Sequence, residues 1–182
     1  AFERQKQELI EICKKVLADG KAKVIIGYTS GEPDVDCTPF FMRTAEDVEK
    51  LKWDSSCTPN LAKYLLEKNE DVAIIAKACD ARAIAMYMIE NQIKRDNVYI
   101  IGVECEGMLD SEGKPSPGCG ECVLRTPPVY DVLVKADGIE KSVEEAKEAR
   151  KKKAQIEDKL ARFQKEMEKC ILCYTCRQAC YG

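Results

Sequence analysis

The chain has 182 residues, 45% hydrophobic and 34% charged, with a formal net charge of −3 at pH 7. That length suits one α/β domain with an appendage, and the acidic balance argues against a general nucleic-acid binder. There are 11 cysteines and no histidine, which excludes histidine-based triads, mixed cysteine–histidine zinc sites and histidine haem ligation.

In chain order, Leu9, Ile12, Cys13, Val16 and Leu17 recur at helical spacing and predict an amphipathic helix over 3–19, stopped by Gly20. Cys13 on that face reads as a small buried apolar residue. The run KVIIGY at 23–28 predicts a buried strand, followed by a turn. Residues 37–43 form a weaker strand, placed at an edge by Pro39. Cys37 at its start has no evident partner in the sequence. Thr44 and Asp47 form a capping-box pattern for a short helix over 44–51. Thr58 and Pro59 open a helix to about residue 68, with Leu61, Leu65 and Leu66 as its apolar face.

The most continuous apolar run, VAIIAKA at 72–78, predicts the central parallel strand. Asp80 is expected to cap the next helix, with Ile84, Met88 and Ile93 facing the core. Met86, Tyr87 and Met88 read as core filling rather than a cofactor box. NVYIIGV at 97–103 is the partner strand, and a further strand is expected around 129–134. Strands alternating with helices predict βαβ units and an α/β fold, a small mostly parallel sheet with flanking helices. No GxGxxG follows any strand, so a nicotinamide-type dinucleotide site is unsupported. No apolar run approaches the roughly 18 residues that a membrane span needs. Without a visible signal peptide, thiols at this density point to metal or redox chemistry in a reducing, anaerobic cytoplasm.

Five cysteines fall at the carboxyl edge of this expected sheet, where ligands of open α/β sheets bind. Cys79 follows strand 72–78, Cys105 follows strand 97–103, and Cys57 precedes the helix leading back into the sheet. The loop after Cys105 adds the CxxC pair Cys119 and Cys122. The pattern reads as a thiolate-ligated iron–sulfur cluster with one thiol to spare. An all-thiolate zinc site and a redox-active thiol set are the alternatives. Cys105, Cys119 and Cys122 lead the ligand set; the fourth place stays open between Cys57 and Cys79. A nucleophilic cysteine would need a base, and Lys77 beside Cys79 is a weak candidate.

Residues 139–169 are helix-prone and charged. The RKKK run at 150–153 reads as a solvated face. Ile156, Leu160, Phe163 and Met167 form a stripe for packing on the body or on a partner. This arm is expected to carry the last segment, CILCYTCRQACYG, away from a body spanning 1–138. Cys170, Cys173, Cys176 and Cys180 stand there at ferredoxin spacing, so that a tight loop wraps one [4Fe-4S] cube. In two-cluster ferredoxins the fourth cysteine of such a run serves the other cluster and a proline follows it. Here Tyr181 follows and no second run exists. The chain is therefore expected to be a fragment or processed product, cut as its ferredoxin-type segment begins.

The ordered series KWDSSCTPNLAKYL, KACDARAIAMYMIENQIKRDNVYIIGVECEGM, CGECVLRTPPVYDVLV and CILCYTCRQAC resembles one known family. This is the iron–sulfur β-subunit family of hydrogenases and dehydrogenases that reduce the deazaflavin coenzyme F420. The likeness covers about residues 22–182 and is nearest to relatives that accompany heterodisulfide-reductase-type flavoprotein complexes. It implies cubane clusters held by cysteines at 57, 79, 105, 119, 122, 170, 173, 176 and 180. It also implies partners among the flavoprotein, hydrogenase or dehydrogenase subunits of a redox complex. Many members bind FAD, but no residue here can be named as its ligand. Ala78 before Cys79 departs from the glycine expected there. The function implied is one-electron transfer within an anaerobic oxidoreductase. An FAD-containing subunit reducing F420 and a zinc-stabilised, non-redox assembly module are the other readings.

Overall fold

A computed structural model describes residues 2–31, 36–66, 71–154 and 159–173. The first helix, α1 (Phe2–Ala18), buries Gln5, Leu9, Cys13 and Val16 at successive turns. It ends at Gly20, whose φ of +66° is the left-handed conformation glycine adopts without a Cβ penalty. The Gly20 and Lys21 N–H groups donate back to the carbonyls of Leu17 and Val16, closing the last turn.

Five strands follow: β1 (Val24–Thr29), β2 (Thr38–Met42), β3 (Val72–Ala76), β4 (Val98–Val103) and β5 (Val132–Val134). They form one sheet in the order β2-β1-β3-β4-β5. β2 returns antiparallel to β1 at the edge, with Thr29 opposite Thr38, and carries Pro39 there. The other neighbours are parallel, with Val24, Val72 and Val98 in line across the sheet. β3 is buried along its whole length, as a central strand covered on both faces must be. Each fully buried Val, Leu or Ile side chain contributes about 1.5–3 kcal/mol relative to exposure.

Three helices differ from expectation. The capping box of Thr44 and Asp47 forms, but α2 (Ala45–Val48) is one turn long. In place of a helix over 59–68 there is a single 3-10 turn, Ala62–Leu65. Asn60 accepts the Ala62 N–H through its side chain and Asp80 accepts the Leu61 N–H, so this segment spends its backbone donors outside a helical ladder. The helix after β3, α3 (Ala78–Ile89), starts earlier than Asp80. Asp80 sits in its first turn and reaches back to accept the Lys77 N–H at 2.9 Å. Tyr87 is buried and Met88 packs against the core.

Beyond β5, α4 (Ile139–Ala154) and α5 (Lys159–Met167) complete the described chain. Ser142 and Ala146 bury the inner face of α4. On α5, Leu160, Phe163 and Met167 are exposed, so the described part of the apolar stripe is uncovered by the body; Ile156 lies outside the described residues. Among the described residues, no helix is long and apolar enough to cross a membrane.

Candidate functional site

The carboxyl ends of β3 and β4 and the segment entering β2 open on one cavity of about 800 Å³. Cys37, Cys79, Cys105, Cys119 and Cys122 line it. Each arrives from a different local structure. Cys79 lies in the first turn of α3, at the end of β3. Cys105 follows β4, where its N–H donates to the Arg125 carbonyl at 3.0 Å. Cys119 and Cys122 sit on a turn closed by the Cys122 N–H on the Cys119 carbonyl at 3.2 Å. The Leu109 N–H donates to the Ser55 carbonyl at 2.8 Å, tying the loop after β4 to the loop that carries Cys57.

Of the five cysteines expected at this edge, four line the cavity and Cys57 does not. Cys57 is fully buried, its Sγ 3.4 Å from that of Cys37. Sequence reasoning left Cys37 without a partner, yet the hairpin of β1 and β2 carried the signal. A strand returning antiparallel from the carboxyl end of β1 starts at that same edge. Cys13 is buried in the core away from the cavity, as expected, and burial pushes its thiol from 9.0 up to about 12. Cys170 and Cys173 are exposed, and Cys176 and Cys180 lie outside the described residues.

Buried charge surrounds the thiols. Lys77, 2% exposed, lines the cavity and pairs with Asp80 at 3.1 Å. Its Nζ also donates to the Pro59 carbonyl at 3.0 Å and to the Tyr28 hydroxyl, and lies 4.6 Å from the Tyr28 ring centre. Burial disfavours the ammonium, but the Asp80 carboxylate and the Cys79 and Cys105 sulfurs together outweigh it, so the Lys77 pKa is raised. Lys77 is therefore a fixed positive charge rather than the base for a cysteine nucleophile. Arg125 is the second buried cation. It donates from Nη2 to the Cys119 carbonyl at 2.9 Å, while its buried Nε has no hydrogen-bond partner among the described residues. The chain makes room for it with Gly107, at φ +120°, where a Cβ would stand 2.9 Å from Arg125 Nη1.

Two of the cavity thiols, Cys79 and Cys105, are held neutral by burial. Burial pushes Cys79 up to about 12, aided by Asp80 and opposed by Lys77. Burial also raises Cys105, against the Gly107 N–H and Lys77. Cys57 is lowered by the hydrogen bond from Cys37, which outweighs its burial, and Cys37 is raised by the same bond. The α4 helix reaches this site from outside. Arg150 donates to the Glu121 carbonyl, and Lys153 pairs with the Glu121 carboxylate at 2.7 Å, between the two CxxC thiols in sequence. The RKKK run is exposed as expected, but it also braces this loop.

The cysteines suit a soft, thiolate-bound group, with positive charge beside them and a buried Arg125 N–H without a partner among the described residues. Among the described residues, no three cysteine or carboxylate side chains converge as closely as a single bound ion requires.

An α/β chain with a thiol-lined sheet edge is thus the class that fold and site define. Part of the chain is similar to β subunits of F420-dependent formate dehydrogenases. It is 35% identical over 100 residues to the F420-dependent formate dehydrogenase subunit beta of Methanocaldococcus jannaschii, a match covering 52% of this chain and 25% of that protein. It is 29% identical over 99 residues to the F420-dependent formate dehydrogenase 1 subunit beta of Methanococcus maripaludis, covering 53% and 26%. The matches thus span about a quarter of the length of these curated relatives. Among solved structures, a chain of the F420-reducing [NiFe] hydrogenase complex from Methanosarcina barkeri aligns at a TM-score of 0.49 and 16% identity, over 57% of this chain and 38% of that one. No family model matches the chain. Neither curated name mentions heterodisulfide reductase.

Proposed function

We propose that this chain is an iron–sulfur electron-transfer part of an F420-linked oxidoreductase complex. The observation that carries the reading is the convergence of Cys79, Cys105, Cys119 and Cys122 on one cavity beside the buried cations Lys77 and Arg125. Cys79 rather than Cys57 takes the fourth place, because Cys79 lines the cavity and Cys57 pairs with Cys37 behind it. A [4Fe-4S] cluster held there would supply one-electron transfer.

The chain's own residues set the conditions. Lys77 and Arg125 offset thiolate charge, and the Arg125 Nε–H is a donor awaiting an acceptor. The Gly107 loop and the α4 brace on Glu121 fix the positions of Cys105 and the CxxC turn. Loading requires the buried Cys79 and Cys105 thiols to lose protons, so uptake of metal releases protons and weakens as pH falls. A second cluster on Cys170, Cys173, Cys176 and Cys180 belongs to the same proposal, as do flavoprotein or dehydrogenase partners, a heterodisulfide-reductase-type setting and a reducing cytoplasm.

A second reading has one observation in its favour. A cavity of about 800 Å³ lies within the range of organic-ligand pockets, which would suit an FAD-containing subunit that reduces F420. Anaerobic purification of the complex separates the readings. Iron with acid-labile sulfide supports the cluster; zinc without iron identifies an assembly module and ends the redox reading. Flavin released on denaturation adds the FAD role.

A further inference from the structure

Cys37 and Cys57 stand with their Sγ atoms 3.4 Å apart, and the cluster reading uses neither of them. We propose that this pair is a dithiol–disulfide couple that exchanges with a low-molecular-weight disulfide entering the cavity. Three features of the pair carry the assignment. The sulfurs need to close by only roughly 1.4 Å to bond. Access is one-sided: Cys37 lines the cavity, whereas Cys57 is fully buried behind it. The two sulfurs are also solvated differently. The Cys57 Sγ accepts the Asp54 N–H at 3.5 Å and the Cys37 Sγ–H at 3.4 Å, which stabilises negative charge on Cys57.

These features define an order of events. Cys37 passes its proton to Cys57 along their hydrogen bond, and its thiolate attacks one sulfur of the incoming disulfide. One small thiolate leaves, and a mixed disulfide remains on Cys37. The Cys57 sulfur then attacks the Cys37 sulfur, expels the second small thiolate and gives up its proton to it. A Cys37 thiol and a Cys57 thiolate have become one disulfide, and the small disulfide has taken up two electrons and one proton to leave as one thiolate and one thiol. In reverse, an external thiolate reaches the Cys37 sulfur and expels Cys57, the sulfur best able to carry the charge.

Linkage mapping tests this in the purified complex. The reduced protein is treated with oxidised glutathione, free thiols are alkylated, and tryptic peptides are sequenced by mass spectrometry. The expected product joins peptides 24–43 and 53–63 through Cys37 and Cys57, reverts with dithiothreitol, and leaves the iron content unchanged. Cys57→Ser should trap glutathione on Cys37, and Cys37→Ser should slow glutathione reduction about tenfold or more. Independent alkylation of both residues after oxidation would overturn the proposal. So would loss of iron from either variant equal to that from Cys105→Ser, which would make the pair cluster ligands. The peptide linkage is read whichever metal the cavity holds, so it stands or falls separately from the cluster.

Discussion

The cavity at the sheet edge and the segment beginning at Cys170 are both rich in cysteine, but they gather their thiols by different routes. At the sheet edge the thiols come from a hairpin, a helix start, a strand end and a distant turn, and only the fold brings them together. In the C-terminal segment the proposed ligands are near neighbours in sequence, and the described Cys170 and Cys173 are exposed. A site built by the fold comes with surroundings: buried cations, hydrogen-bonded loops and neutralised thiols. The proposed C-terminal site relies on spacing in the sequence. The first should therefore be sensitive to residues that are not ligands, and the second should not.

The largest expected effect is the loss of a ligand. Cys105→Ser or Cys119→Ser should remove about four irons per chain with their sulfide and leave the C-terminal complement in place. Iron and sulfide analysis with electron paramagnetic resonance reads this. Equal loss from Cys13→Ser would break the comparison, since Cys13 lies in the core.

Next comes the buried charge. Lys77→Met strands the Asp80 carboxylate, which is 0% exposed, at a cost of roughly 3–5 kcal/mol. Urea unfolding measures it, and a change below 1 kcal/mol would show that the pair is not held as described. A smaller effect, absent at neutral pH, belongs to Cys13. Its folded pKa of about 12 lies above its ordinary 9.0, so folding favours the neutral thiol. The stability this provides is complete below pH 9 and is lost between about 9 and 12, as the unfolded thiol ionises first. The melting temperature of Cys13→Ala should therefore fall less steeply across that window than that of the parent chain. Parallel curves would refute the burial argument. The smallest effect is Glu121→Gln, which removes an exposed ion pair with Lys153 worth about 0.2–1 kcal/mol. Its sharper readout is faster hydrogen exchange in the CxxC turn.

Much of the sheet was legible because apolar, β-branched runs are a local signal: β1, β3 and β4 stand where KVIIGY, VAIIAKA and NVYIIGV put them. The residues about 59–68 misled because Leu61, Leu65 and Leu66 suit a helix, whereas Asn60 and Asp80 take up the backbone donors that helix would use. Asp80 looked like a cap because residue type, not position, is visible in a sequence; its carboxylate serves Lys77 and Leu61 at once. Cys79, Cys105, Cys119 and Cys122 were legible from topology. The place of Cys37 was implied by the same topology once β2 is antiparallel. The role of Arg125 was not legible, since nothing local announces that a loop arginine is buried.

The strand order has a consequence for biosynthesis. β2 closes on β1, and β3, β4 and β5 then add one at a time to the growing side of the sheet. Each strand leaving the ribosome therefore meets a neighbour that has already emerged, and domains fold N-terminal part first during translation. Cys37, Cys57 and Cys79 are in place before Cys105, Cys119 and Cys122 emerge. Insertion of the proposed cluster at the sheet edge must therefore await the emergence of Cys122, and ribosome-stalled chains ending before Cys119 should take up no iron there.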